Sequence, residues 1–379
     1  MNDGGQRRSL LASARSSIAP WAISRLVVLL GLLSAHELVS HGHLARAGAT
    51  QRVHQGLLAW DAGWYEAIAR QGYVHLGAQA TRFFPLWPLM VRGLHHLGLP
   101  VAGVMIVTVS VVWFMALIAI DQLGAASGFS RRATGASLWL VCLAPGAVAT
   151  VLGYAEPLLV LLVATTLTLA LRVHTTRPAA PLWAGAAVLG FAAGLTRPVG
   201  VVLCVPVGIE AWRRRNAGAI PVSVLATVAP LGGLVSYLWW CHATFNSWLL
   251  PLRVQTESVH HGGLTNPVSG LLHAASLALH GHTSVWMHLP WVALAIIGCV
   301  LSFKRAPLSL AIYSTLIVAL ALSGSNLDSL ERYLLAAPTL FAVAGTFLDR
   351  QRLRILVYVG LGVVLFGTST LVFANAIVP

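Results

Sequence analysis

A carboxylate set among aromatic rings is the first feature of this sequence able to do chemistry. In WDAGWYEAIARQGY, residues 60–73, Asp61 follows Trp60 and precedes Trp64 and Tyr65. Aspartate is a favoured helix N-cap, so the structural reading is a cap on a helix whose apolar face comprises Trp64, Tyr65, Ile68 and Ala69. The next stretch, TRFFPLWP (81–88), bounds an aromatic patch with two prolines. Such a surface is rigid and aromatic-walled rather than solvated, which favours a functional carboxylate.

Three further short stretches carry charge. GYAEP (153–157) confines Tyr154 and Glu156 to a tight turn, although a carboxylate beside Pro157 also suits the first turn of a helix. GLTRPVG (194–200) isolates Arg197 in an equally tight turn, where its guanidinium wants an anion: Glu156, Asp61, a lipid headgroup or a substrate phosphate. In SGSNLDSLERYLLAAP (323–338), Asp328 and Glu331 have capping-box spacing and read as structural, whereas Arg332 can snorkel to a phosphate from the helix edge. The paired histidines His41, His43, His95, His96, His260 and His261 do not share a helix face, and HExxH is absent, so no dedicated zinc site is expected. A Mg or Mn ion between phosphate and carboxylate stays open.

The elements that position these residues belong to a membrane. Of 379 residues, 57% are hydrophobic and 9% charged, and mean hydropathy is +0.78, whereas a soluble domain has about a quarter of its residues charged. A net charge of +13 would suggest nucleic acid in a soluble chain. Here the basic residues cluster between apolar runs, as topogenic signals do, and nucleic acid is excluded as a partner. The four cysteines, Cys142, Cys204, Cys241 and Cys299, lie in or beside apolar segments without CxxC spacing and read as small core residues.

Apolar runs near 18–38, 100–120, 134–153, 156–172, 180–196, 199–212, 221–241, 286–303, 307–323, 333–348 and 354–375 predict an all-α protein of about eleven transmembrane helices. The first is read as a retained helix, not a cleaved signal. With a cytoplasmic N-terminus, the inner loops hold fifteen of the twenty-four basic residues, which fixes the orientation. Glu37, Asp61, Glu66, Glu156, Glu257, Asp328 and Glu331 then lie at the outer face with nearly all histidines. That is the pattern of an active site opening to the extracytoplasmic side. The organisation expected is a cytoplasmic tail (1–17), a catalytic module (18–241) with the long outer loop 39–99, an outer loop (242–285) and four C-terminal helices (286–379). Segments such as LTNPVSGLLHAASLAL suit interfacial amphipathic helices in those outer loops. A lipid transporter or flippase is the competing reading, but it predicts midplane charges and related halves, and no internal repeat is found.

Taken in order, these stretches resemble the PIG-V type of mannosyltransferase, which makes the second mannosyl transfer of GPI-anchor synthesis and has bacterial relatives. WDAGWYEAIARQGY is similar to the family's WDxxxFxxIAxxGY, FFPLWPLM to FFPxxP, LAPGAVATVLGYAEPLLVLL to LSPxxxxxxxGYSEALF, and GLTRPVG to TGxRSNG. The likeness covers 57 to about 202; beyond it only hydropathy and an ERY helix start agree. Pro198 and Val199 replace the family's Ser-Asn pair, which removes polar contacts attributed to that turn.

The resemblance implies the C-type glycosyltransferase (GT-C) architecture in the plasma membrane. It also implies a polyprenyl-phosphate mannose donor, a lipid or glycan acceptor, and extracytoplasmic transfer with inversion. Such a transfer needs a base for the acceptor hydroxyl and cations for the departing phosphate. The resemblance assigns the base to Asp61, the phosphate to Arg197 and Arg332, and acceptor or sugar hydroxyls to Glu156. Trp60, Trp64, Tyr65 and Tyr154 are the other expected substrate contacts. Glucose or arabinose carried on the same lipid satisfies the same chemistry.

Overall fold

The computed structural model describes residues 8–44, 46–215, 219–255, 266–280, 286–324, 327 and 329–379, and no strand occurs among them. The first half contains α1 (Leu10–Ser40), α2 (Ala49–Gln55), α3 (Asp61–Gln71), α4 (Tyr73–Leu76), α5 (Leu86–His95), α6 (Val101–Ala126), α7 (Arg131–Leu143), α8 (Glu156–Arg172) and α9 (Ala180–Thr196). The second contains α10 (Cys204–Arg213), α11 (Ile220–Phe245), α12 (Leu250–Gln255), α13 (Pro267–Leu279), α14 (Leu289–Arg305), α15 (Leu308–Leu322), α16 (Leu330–Leu334), α17 (Pro338–Gly345) and α18 (Gln351–Phe373). Glu257, His260, His261 and Asp328 fall outside the described residues.

Each of the eleven apolar runs contains helix, but α1, α6, α11 and α18 are the four among the described residues that are long and apolar enough to cross a membrane by themselves. Two runs predicted as single spans are broken instead, and a third opens on a 3-10 turn. α7 stops at Leu143 before a 3-10 turn from Pro145, α10 follows a 3-10 turn from Pro198, and α16 and α17 are separated just before Pro338. Each break falls on a proline, which lacks an N–H and bars its predecessor from helical backbone. Accordingly Ala144 (ψ 148°), Arg197 (ψ 149°) and Ala337 (ψ 65°) all leave the helical region. Irregular backbone within apolar segments is tolerated where protein surrounds it, and Ala144, Gly200 and Ala337 at these breaks are buried.

Helix begins inside the segment expected as a tail. α1 begins at Leu10, capped by the Ser9 hydroxyl, which accepts from the Ala12 N–H. Its first turns are held by α6, where the buried Asp121 pairs with Arg8 and accepts from the Ser13 hydroxyl at 2.6 Å.

Helix packing fixes the turn that carries Arg197. α9 and α11 cross with their backbones in contact: a Cβ on Gly194 would collide with the Pro230 carbonyl, and one on Gly233 with the Phe191 carbonyl. Small residues permit such close approach between helices in a bilayer. Residues 46–99 form a packed layer that contains short helices. Tyr65, Phe83, Phe84 and Trp87 are buried in the main core. Three bonds tie the layer down: Trp87 Nε1 donates to the Gly153 carbonyl at 3.0 Å, Tyr73 OH to the Phe83 carbonyl at 2.7 Å, and Tyr237 OH of α11 to the Thr81 carbonyl at 2.7 Å. α12 packs on the 3-10 segment Ala78–Arg82.

Candidate active site

Asp61 is the first residue of α3 rather than its N-cap; Trp60 holds the cap position with φ 62° and ψ −132°. Positive φ is costly for a bulky residue and persists only where the surroundings impose it. Trp60 is imposed on from both faces: its Nε1 donates to the Val372 carbonyl of α18 at 3.1 Å, and the Arg52 guanidinium lies 4.0 Å from its ring centroid. This strained residue aims the Asp61 N–H at the Tyr154 hydroxyl, which accepts at 3.2 Å. Trp60 and Tyr154, expected as substrate contacts, thus position Asp61 from outside the cavity; Trp64, stacked on Phe83 at 5.8 Å, also lies outside the cavity wall.

The Asp61 carboxylate, with 35% of the side chain exposed, accepts from Arg332 Nη1 at 3.0 Å. Arg332 does not snorkel. It is 5% exposed, donates through Nη2 to the Ser329 hydroxyl at 3.2 Å, and places Nε 3.3 Å from Glu156 Oε1 in an ion-pair contact without hydrogen-bond alignment. Glu156, the first residue of α8, also pairs through Oε1 with Arg197, whereas its buried Oε2 has no hydrogen-bond partner. Arg197 lies 5.2 Å from the Tyr333 ring centroid, its Nη2 at 3.5 Å from that hydroxyl. Glu331 faces His288 Nδ1 at 2.8 Å, and the Asp328 half of the expected capping box lies outside the described residues.

Gly146 sets how closely α16 approaches. A Cβ there would overlap the Glu331 carbonyl and the Arg332 nitrogen, so the peptide bearing Arg332 rests on the 3-10 turn after α7. Gly146→Ala is expected to displace Arg332 from Asp61 at a cost of about 1–3 kcal/mol and to lower both the thermal midpoint and transfer. Gly135→Ala, where a Cβ meets nothing within 4 Å, is the control for both measurements.

These groups open on a cavity of about 90 Å³. Its charged wall is Asp61, Arg82, Arg197 and Arg332, with the phenols of Tyr65 and Tyr333 beside them. Phe83, Phe84, Pro198 and, from α12, Pro251, Leu252 and Gln255 complete it. Burial would raise the Asp61 pKa, but Arg332, Arg82 and Arg197 outweigh it and hold the carboxyl below its ordinary value. Burial pushes the Tyr65 phenol up to about 12, so it stays a neutral hydrogen-bond donor. A larger apolar cleft of about 390 Å³, between α7, α14, α17 and α18, has no ionisable group in its wall. Among the described residues no group of three or more His, Cys, Asp or Glu could hold a metal ion.

Sequence reasoning brought Asp61, Glu156, Arg197, Arg332 and Tyr65 to one place but overlooked Arg82, Tyr333 and α12. Arg82 was visible inside TRFFPLWP as a cation next to the aromatic patch; α12 had no comparable signal.

Apolar helices around a cavity that sets three guanidinium groups against two carboxylates define a multi-pass membrane protein with an anion-seeking site. The comparison with known families bears on its chemistry: residues 30–205, the stretch that carries Asp61, Arg82, Glu156 and Arg197, match the mannosyltransferase (PIG-V) family model, which supports glycosyltransferase activity. Arg332, Tyr333 and α12 lie beyond the matched residues. No curated protein matches the chain.

Proposed function

We propose that this protein transfers mannose from polyprenyl-phosphate mannose to a lipid or glycan acceptor at the extracytoplasmic face of the plasma membrane, by inversion at the anomeric carbon. The observation that carries the reading is the one-third exposed Asp61 carboxylate facing Arg82, Arg197 and Arg332 across one cavity. The family match supplies mannosyl transfer. The clustering of basic residues in alternate loops supports a cytoplasmic N-terminus and about eleven membrane passages.

In this reaction the acceptor oxygen forms a bond to the anomeric carbon as the bond from that carbon to the phosphate oxygen breaks. The acceptor proton passes to Asp61, and the phosphate departs with the bonding electrons. The guanidinium groups stabilise the charge that develops on the departing phosphate, in a site whose donors are held in place before the substrate arrives. Asp61 in the resting site is a weak base. A bound phosphate adds negative charge beside it and raises its basicity when the substrate is present. The Tyr65 phenol and the Gln255 amide are placed to orient sugar hydroxyls.

The test is transfer in proteoliposomes, with radiolabelled polyprenyl-phosphate mannose, the glucose and arabinose analogues, and a nucleotide-linked mannose supplied separately with a lipid extract as acceptor. Label is expected in product from the lipid-linked mannose. Transfer from the nucleotide sugar alone would defeat the proposal, and preference for another lipid-linked sugar would correct the donor.

A further inference from the structure

Tyr65 carries an oxygen that the fold does not use. The residue is 4% exposed and its ring meets Phe83 edge-on, with centroids 5.0 Å apart, so packing sets where the hydroxyl stands. The neighbouring phenols are engaged: Tyr73 and Tyr237 donate to backbone carbonyls, Tyr154 accepts from the Asp61 N–H, and Tyr333 faces Arg197 Nη2 at 3.5 Å. Among the described residues the Tyr65 hydroxyl has no hydrogen-bond partner, and Tyr65 forms part of the cavity wall. Buried polar groups are hydrogen-bonded as a rule, and here the cavity is where the partner enters. The oxygen is also this chain's own. The WDxxxFxxIAxxGY pattern that residues 60–73 resemble has phenylalanine at this position, and phenylalanine would make the same ring contact.

Its place limits what it can touch. Asp61 and Tyr65 are four residues apart on α3, which makes them neighbours on one helix face, and Arg197 lines the same cavity. Both Arg197 and Asp61 act electrostatically on the phenol, which burial keeps protonated and able to donate. In an inverting transfer the anomeric carbon lies between the base, which takes the acceptor proton, and the cations that receive the departing phosphate. A donor standing between those groups meets the sugar oxygens nearest that carbon, and the nearest hydroxyl is the one on carbon 2. Mannose and glucose differ in configuration at that carbon alone.

We propose that the Tyr65 hydroxyl donates a hydrogen bond to the 2-hydroxyl of the lipid-linked hexose and so selects the donor by its configuration at carbon 2. The assignment rests on the lipid-linked sugar reading above. A site built to hydrogen-bond a substrate hydroxyl discriminates against a sugar that lacks or misplaces it, because the protein's own polar group is then left unpaired.

The experiment measures kcat/KM for transfer by the full-length protein in proteoliposomes, wild type against Tyr65→Phe, with polyprenyl-phosphate mannose and its 2-deoxy analogue as donors. Each donor is compared between the two proteins, so the intrinsic reactivity of the deoxy sugar cancels. Tyr65→Phe is expected to use the mannose donor about 5- to 50-fold less well than wild type and the 2-deoxy donor equally well. The wild-type preference for mannose over the glucose donor should shrink by a similar factor, and an unchanged preference overturns the selection. Equal losses with the mannose and 2-deoxy donors overturn the assignment, because the oxygen then serves the phosphate or Asp61. No loss with either donor overturns it as well. So does a Tyr65→Phe protein that fails to fold, since the fold then needs the oxygen assigned here to the substrate. All of these leave wild-type transfer, and the donor reading with it, standing. A wild-type protein that transfers from no lipid-linked hexose overturns the donor reading and the assignment together.

Discussion

Asp61→Asn is expected to transfer sugar about 10²- to 10⁴-fold more slowly than wild type while remaining folded and inserted in the membrane, the range that removal of a general base produces. Asparagine is nearly isosteric, and its amide oxygen can accept the bond that Arg332 Nη1 now gives the carboxylate at 3.0 Å. Arg332 keeps its contacts with Glu156 and Ser329, so the frame survives without the charge on residue 61. What is lost is the lone pair able to take the acceptor proton. The pH profile is a second readout. A carboxyl held below its ordinary pKa is ionised above that lowered value, so Asp61 should give kcat/KM no acid limb above about pH 4. Arg332→Gln removes the largest influence opposing burial and should move that limb upward. Wild-type transfer by Asp61→Asn, measured in proteoliposomes, would remove the aspartate from the chemistry and leave it as an anchor for Arg332.

The sequence makes the meeting of Asp61 and Arg332 legible, although 271 residues separate them, because the long loop 39–99 that holds Asp61 and the polar stretch before the apolar run that follows Arg332 are both expected at one face. Hydropathy gives depth, and depth brings such groups to a common layer. It does not give partners. A lone arginine in a tight turn reads equally as a phosphate ligand and as the counter-ion of a carboxylate, and here Glu156 takes Arg197 and part of Arg332. Helix breaks are hidden for a related reason: a window average does not register that Pro145 and Pro338 interrupt apolar runs. Trp60 and Tyr154 were legible as aromatic neighbours of carboxylates, but their roles depend on contacts with Val372, Arg52 and the Asp61 N–H that no local pattern encodes.

Glu156→Gln should produce the larger loss of stability. Glu156 is 3% exposed and its Oε1 is the anion that both Arg197 and Arg332 approach. Glutamine keeps the shape but removes the charge, leaving two guanidinium groups close together, of which Arg332 keeps Asp61 as a partner. Removing one partner of a buried ion pair typically costs about 3–5 kcal/mol, most of it the cost of the charge left behind. The thermal midpoint in detergent should therefore fall, and transfer with it. Adding Arg197→Gln to the same protein should recover part of the lost stability, because the uncompensated charge is then removed. Arg332 would keep Asp61, and a double-mutant cycle reads the coupling directly. If Glu156→Gln is as stable as wild type but inactive, the carboxylate is needed by the substrate rather than by the frame, and its unpartnered Oε2 is where that substrate would bind. Stability lost without recovery in the double variant would instead place the cost in packing around α8, and the electrostatic frame would no longer explain why Arg332 stands where Asp61 can use it.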